Sequence, residues 1–132
     1  MLVEYKYNPF MNIDKQLYTW VEFDQDVREI AQRIKESGKK FDGIWGPPRG
    51  GLVPAVVLSN ALNLPILLWP TANTLVVDDI ADTGATLNSF RRNFIATIFY
   101  HQQSKVVPDI WIKEKTIAWI VFPWETTILP PH

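Results

Sequence analysis

Four short apolar runs, Phe41 to Trp45, Pro65 to Trp69, Leu75 to Asp78 and Phe94 to Tyr100, constrain this chain most, because helix-patterned stretches stand between them. Leu52 to Leu62 reads as a mostly buried helix that tolerates Pro54 in its first turn, and Thr86 to Arg92 reads as a second. Strands alternating with helices are joined by right-handed crossovers and lie in a largely parallel sheet. The expected fold is therefore α/β, a central parallel sheet flanked by helices. Upstream, Thr19 and Glu22 have capping-box spacing, and Trp20, Phe23, Val27, Ile30, Ala31 and Ile34 follow at helical intervals until Gly38 stops the run. Beyond Gln102 the pattern loses its regularity. Trp111 to Lys113 and Thr116 to Val121 read as short strands, and Phe122-Pro123-Trp124 closes the fold.

A chain of 132 residues is expected to form one domain. Its thirteen basic and fourteen acidic residues leave a net charge of -1, so no global field collects nucleic acid or an anionic membrane. Any anionic ligand must be held locally. With no cysteine, thiolate chemistry, disulfides and thiolate-bound zinc are excluded. The opening MLVEYKYNPF is not a secretory signal, and the apolar stretch from Leu52 to Trp69 is broken by Pro54, Ser59, Asn60, Asn63 and Pro65. A soluble, cytoplasmic protein is expected.

In open α/β sheets ligands sit beyond the carboxyl ends of the strands. Two loops occupy that position, GPPRGG at 46–51 and DDIADTGAT at 78–86, and they should face one another across one site. Asp82-Thr83-Gly84-Ala85-Thr86 offers unpaired amides and two hydroxyls to an anion. Yet Asp78, Asp79 and Asp82 would repel a bare phosphate. A sugar phosphate resolves the conflict: amides and hydroxyls hold the phosphate, carboxylates accept hydrogen bonds from ribose hydroxyls, and a divalent cation offsets the remaining charge. In the other loop Arg49 is a fixed cation, and glycines let the backbone approach a ligand. Thr-Gly-Ala-Thr alone would serve as an ordinary helix cap, but the preceding acids argue against that reading. No Walker A sequence is present. The Asp-Thr-Gly triplet of aspartic proteases is set aside, because those all-β enzymes need later glycines and Gly84 is the last one here.

The stretch LVVDDIADTGAT strongly resembles the phosphoribosyl diphosphate (PRPP) motif of type I phosphoribosyltransferases, and RGGLVP at Arg49 to Pro54 resembles the diphosphate loop of the xanthine-guanine branch of purine salvage. That resemblance implies PRPP and a nucleobase, a purine, as substrates, with Mg2+ as cofactor. It assigns Asp78 and Asp79 to the ribose hydroxyls, with Asp79 the candidate magnesium contact. Asp82, Thr83, Gly84, Ala85 and Thr86 form the 5'-phosphate cradle, and Asp82 also exchanges the proton of the incoming base. Ala85 departs from the Lys or Gly of many relatives, at small cost because the amide remains. Arg49 and Gly50 hold the diphosphate, and the peptide ahead of the Gly is expected to be strained or cis.

The same resemblance makes Trp119 to Glu125 part of a hood over the base, with Trp119 stacking on the purine and the backbone near Ile120 reading its edge. His101 stands where relatives carry a Lys that contacts the purine carbonyl oxygen, a departure that removes a permanent charge. The core then runs over about 19–101 and the hood over about 102–132. Relatives insert a long mobile lid between the second strand and the PRPP strand, whereas this chain allows only Trp69 to Thr74. That shortening raises an alternative, a non-catalytic protein that binds PRPP or a nucleotide and regulates a partner. It also suggests a homo-oligomer, dimer or tetramer, in which a neighbour covers the site.

Overall fold

The computed structural model describes residues 14–125, so the N-terminal stretch and the end of the expected hood lie outside the described residues. The elements are β1 (Lys15–Leu17), α1 (Trp20–Ser37), β2 (Ile44–Trp45), α2 (Leu52–Leu62), β3 (Leu75–Ala81), β4 (Phe94–Tyr100), β5 (Ile110–Glu114) and β6 (Trp119–Val121). A four-stranded sheet in the order β2-β3-β4-β5 is parallel throughout. A second sheet pairs β1 with β6, also in parallel. Among the described residues no helix is long and apolar enough to cross a membrane.

The first helix forms where its sequence says it should. Thr19 Oγ1 accepts from Glu22 N at 3.1 Å, Thr19 N donates to Glu22 Oε2 at 2.8 Å, and Gly38 ends the helix at φ 70°. Its Phe23, Val27, Ile30, Ala31 and Ile34 bury against the sheet, whereas Trp20 stays exposed beside Trp124. Side chains alternate along β3. Leu75 and Val77 join the core beneath the two helices, while Val76 joins Trp45, Leu87, Ile95 and Val106 on the opposite side.

Two expected elements are corrected. The strand expected over Pro65 to Trp69 is reduced to a single bridge, Ile66 beside Ile44. Only eight residues, 67–74, separate this bridge from the start of β3, so the chain must turn back at the amino-terminal end of the sheet. There Thr71 and Thr74 donate their hydroxyls to Asp42, and Asn93 Nδ2 donates to Thr71 O and Thr74 O at 2.8 and 2.9 Å. The 69–74 connection therefore lies at the end of the sheet away from the 46–51 and 78–86 loops.

The helix expected over Thr86 to Arg92 is a four-residue 3-10 turn, Leu87–Phe90. The chain must travel back along a seven-residue strand. That strand spans about 23 Å, while seven α-helical residues would cover only about 10 Å. An extended, looser path is required.

The C-terminal region also divides differently: β5 completes the main sheet, and three residues ahead of α1 pair with β6, more than a hundred positions away. Buried Tyr18 ties the two sheets together, donating to Asp26 Oδ2 at 2.5 Å and packing edge-on against Phe99 and Phe122. Lys113 Nζ pairs with the same Asp26 oxygen at 3.1 Å.

Candidate active site

Because β2 and β3 are neighbours, the loop after Trp45 and the acidic end of β3 emerge side by side. A Cβ placed on Gly50 would lie 2.4 Å from Asp79 Oδ2 and 2.7 Å from its Cγ, so the loop backbone rests directly on that carboxylate. Only glycine allows this approach. Between the loops opens a cleft of about 820 Å³, lined by Pro47, Pro48, Arg49, Gly50, Asp78, Asp79, Ile80, Asp82, Thr86, Trp124 and Glu125. The volume suits one small-molecule substrate pair. A cis peptide bond is present in the loop at Pro48-Arg49, one residue ahead of the bond expected.

The lining carries one cation, Arg49, against four carboxyl groups. Asp78 is only 8% exposed, and burial, reinforced by the charge of Asp79, raises its pKa well above the usual carboxylate range. Asp79 is raised too, chiefly by burial, with a further contribution from the Glu125 charge. Asp78 Oδ1 accepts from the Asp79 amide at 2.8 Å, which fixes the first carboxylate against the strand. Such a pair is poised for ligand donors that the free protein lacks: hydroxyls, or a hard cation favouring oxygen ligands. Among the described residues no group of three or more metal-ligating side chains forms a cage. One carboxylate with substrate oxygens is the way magnesium is commonly bound.

This arrangement has a consequence for stability. A folded-state pKa raised above the unfolded value means that the native state keeps protons the unfolded chain gives up. The contribution is fully present below about pH 4 and is lost as pH rises through the raised values. Asp78→Asn, which keeps the acceptor for the Asp79 amide, is therefore expected to melt higher than the wild type at pH 8 and to lose that advantage near pH 4. One kcal/mol moves the midpoint by about 2–8 °C, so thermal melts without ligand decide it. Equal midpoints at both pH values would refute the assigned cost.

After β3 the chain turns through 82–86. Gly84 takes φ 83°, and a Cβ there would meet Lys105 N at 2.7 Å and Ser104 Oγ at 2.8 Å. The turn is thus seated on the 104–106 segment, and Lys105 N donates to Thr83 O at 2.9 Å. Since a short 3-10 turn follows, no helix dipole supports an anion here; the groups the turn could offer one are loop amides and the Thr83 and Thr86 hydroxyls, and of its residues Asp82 and Thr86 line the cleft. The Ala85 amide donates to Thr83 Oγ1 at 3.2 Å.

Asp82 is held by one oxygen only. His101 Nδ1 lies 2.8 Å from Oδ1, Gln103 Nε2 donates to it at 3.2 Å, and Lys115 Nζ stands 3.9 Å away. Because a carboxylate only accepts, the His101 proton in this contact sits on Nδ1. Oδ2 has no hydrogen bond to the described residues, and the side chain is 41% exposed in the cleft. One oxygen is anchored while the other is presented.

The residues expected at the base lie less close together. His101 is engaged with Asp82 rather than free. Trp119 is half exposed on β6, not a core residue, whereas the Ile120 side chain is buried; neither lines the cleft. Trp124 and Glu125 do, and their place in WIVFPWE was the only sequence signal for them. Gln103 and Lys115 had none.

No family model matches the chain. Its relatives include the xanthine-guanine phosphoribosyltransferase of Nitratidesulfovibrio vulgaris, 27% identical in an alignment of 138 positions that takes in 83% of this chain and 84% of the relative. That of Cereibacter sphaeroides is 28% identical over 145 aligned positions, covering 83% and 86%. Among solved structures, the purine phosphoribosyltransferase of Pyrococcus horikoshii matches with a TM-score of 0.75 and 29% identity, over 91% of this chain and 99% of that one.

Proposed function

We infer that this chain, a type I phosphoribosyltransferase close to the purine salvage enzymes, joins a purine base to the ribosyl carbon of PRPP and releases pyrophosphate. The observation that supports the reading is the contact of Gly50 with Asp79, which brings the 46–51 loop against the acidic end of β3. A ring nitrogen of the base forms the new bond to C1' as the bond from C1' to the diphosphate oxygen breaks. The bonding pair leaves with pyrophosphate, and the base's proton passes to Asp82 Oδ2.

Asp78 and Asp79 hold the ribose hydroxyls, and the 82–86 turn holds the 5'-phosphate. Arg49 and the Gly50 amide hold the departing diphosphate. Asp79 and the substrate's own oxygens would hold Mg2+, which when bound neutralises charge on the leaving group. Trp124, which lines the cleft, bounds the base on the hood side. The relatives lend no weight to a non-catalytic binder.

Water must be kept from the oxocarbenium-like ribosyl group. The 69–74 connection cannot do it from the far end of the sheet. A second copy of the chain, in a dimer or tetramer, supplies the cover in this reading. Apolar side chains that remain open for such an interface include Leu52, Val56 and Leu68, the last 97% exposed. We place the single-domain protein in the cytoplasm, with small molecules and its own copies as partners, and neither nucleic acid nor membrane.

The test is incubation with PRPP, Mg2+ and each common base. The matching nucleotide and pyrophosphate are expected from at least one purine. Removing the metal with a chelator is expected to lower the rate by at least about 100-fold, since one cation otherwise faces four carboxyls at the leaving group. Tight PRPP binding without product from any base would remove the catalytic reading, and an undiminished rate under chelation would remove the metal.

A further inference from the structure

Lys115 follows β5, and its amide donates to Tyr100 O at 2.8 Å, which fastens it beside the end of β4. Its side chain is only 14% exposed, and its one ion pair among the described residues is the 3.9 Å approach to Asp82 Oδ1. That separation is too long for a hydrogen bond. The ammonium carries three donors, and it makes no side-chain hydrogen bond to the other described residues. A sheltered cation with unfilled donors calls for an acceptor, and the cleft-lining side chain that Lys115, itself just behind the lining, approaches is Asp82. His101 cannot take this role in the same way, because its Nδ1 is already committed to Asp82 and it carries no permanent charge.

We propose that Lys115, reaching in from the end of β5, is a base-contacting residue that donates to a ring carbonyl oxygen of the purine next to the atom served by Asp82. This rests on the reaction proposed above. In a 6-oxopurine the carbonyl O6 stands as an acceptor beside N7 on one edge, whereas in a 6-aminopurine the same place carries an N–H donor. An ammonium at that edge accepts the first and rejects the second. Lys115 thereby restores, from a different strand, a cation absent at position 101.

The experiment compares kcat/KM for hypoxanthine and for adenine in the wild type, in Lys115→Met, in Lys115→Gln and in a His101→Lys/Lys115→Met double variant. Position 101 touches the same Asp82 oxygen, so a lysine there can reach the same spot. The wild type is expected to prefer hypoxanthine. Both single variants are expected to reduce that preference by about 10- to 100-fold, the worth of one hydrogen bond to a charged group, and the double variant to recover part of it.

An unchanged preference in the single variants, or a wild type that favours adenine, overturns the assignment while leaving the transferase reading intact. Failure of the wild type with every base removes that reading and this one with it. If both single variants fail to fold by circular dichroism, Lys115 is structural and the assignment is wrong.

Discussion

Asp82→Asn is expected to lower the rate of nucleotide formation by about 10²- to 10⁴-fold, the usual worth of a positioned general acid or base, while PRPP affinity changes no more than a few-fold. The separation follows from how the carboxylate is held. His101, Gln103 and Lys115 all converge on Oδ1. An asparagine keeps an oxygen in that place with the same three neighbours. Only the presented oxygen is replaced, by an amide nitrogen that cannot take a proton. In the proposed reading the phosphate is held by main-chain amides and threonine hydroxyls of 83–86, which the substitution leaves alone. Single-turnover rates and calorimetric titration with PRPP separate the two effects. A parallel loss of affinity and rate would make Asp82 a binding residue, and a full rate would deny it the proton.

How much of this was legible in the sequence depends on the range of the interaction. Local codes were readable: the Thr19-Glu22 box and Gly38 set the first helix to within a few residues, because their partners lie within one turn. The order of the two binding loops was readable as well, since neighbouring parallel strands bring successive loops to one edge. What failed were conclusions that needed a distance. The 86–92 stretch has a helical pattern but too few residues to run back along β3 as a helix. The 65–69 run is apolar but must turn back at once. Pairing of Lys15–Leu17 with Trp119–Val121 is a three-residue match across the whole chain, for which local propensity carries no signal.

The site divides along the same line. Asp78, Asp79 and Asp82, three carboxylates at a Thr-Gly-Ala-Thr turn, stood out in the sequence, and all three line the cleft. Lys115 did not stand out, since one lysine among the alternating charges of Lys113, Glu114 and Lys115 reads as a solvated face. Its burial is decided by the docking of β5 on β4. The acids also answer the question they raise. Burial raises the pKa of both Asp78 and Asp79, a cost that hydrogen bonds in the free protein offset only in part and that, in the proposed function, a ribose and a cation relieve. Natural proteins accept such local costs where they bind.

The glycines of the 46–51 loop allow the division between binding and folding to be tested directly. At Gly50, all three nearest atoms to an added Cβ belong to the Asp79 carboxylate, at 2.4 to 2.8 Å. At Gly46 the nearest is Gly51 O at 2.2 Å, and at Gly51 it is Val77 O at 2.6 Å, both main chain. A side chain can swing aside, whereas a strand carbonyl held in a sheet moves only with its neighbours. Gly50→Ala is therefore expected to fold, with a melting point within a few degrees of the wild type, and to bind PRPP about 10- to 100-fold more weakly, because the displaced Asp79 forfeits a charged hydrogen bond to the ribose. Gly46→Ala and Gly51→Ala are expected to lose stability first. Melts and PRPP titrations of the three variants read both effects. Unchanged affinity in Gly50→Ala would mean that Asp79 does not hold the sugar, and the contact that carries the functional reading would be packing alone.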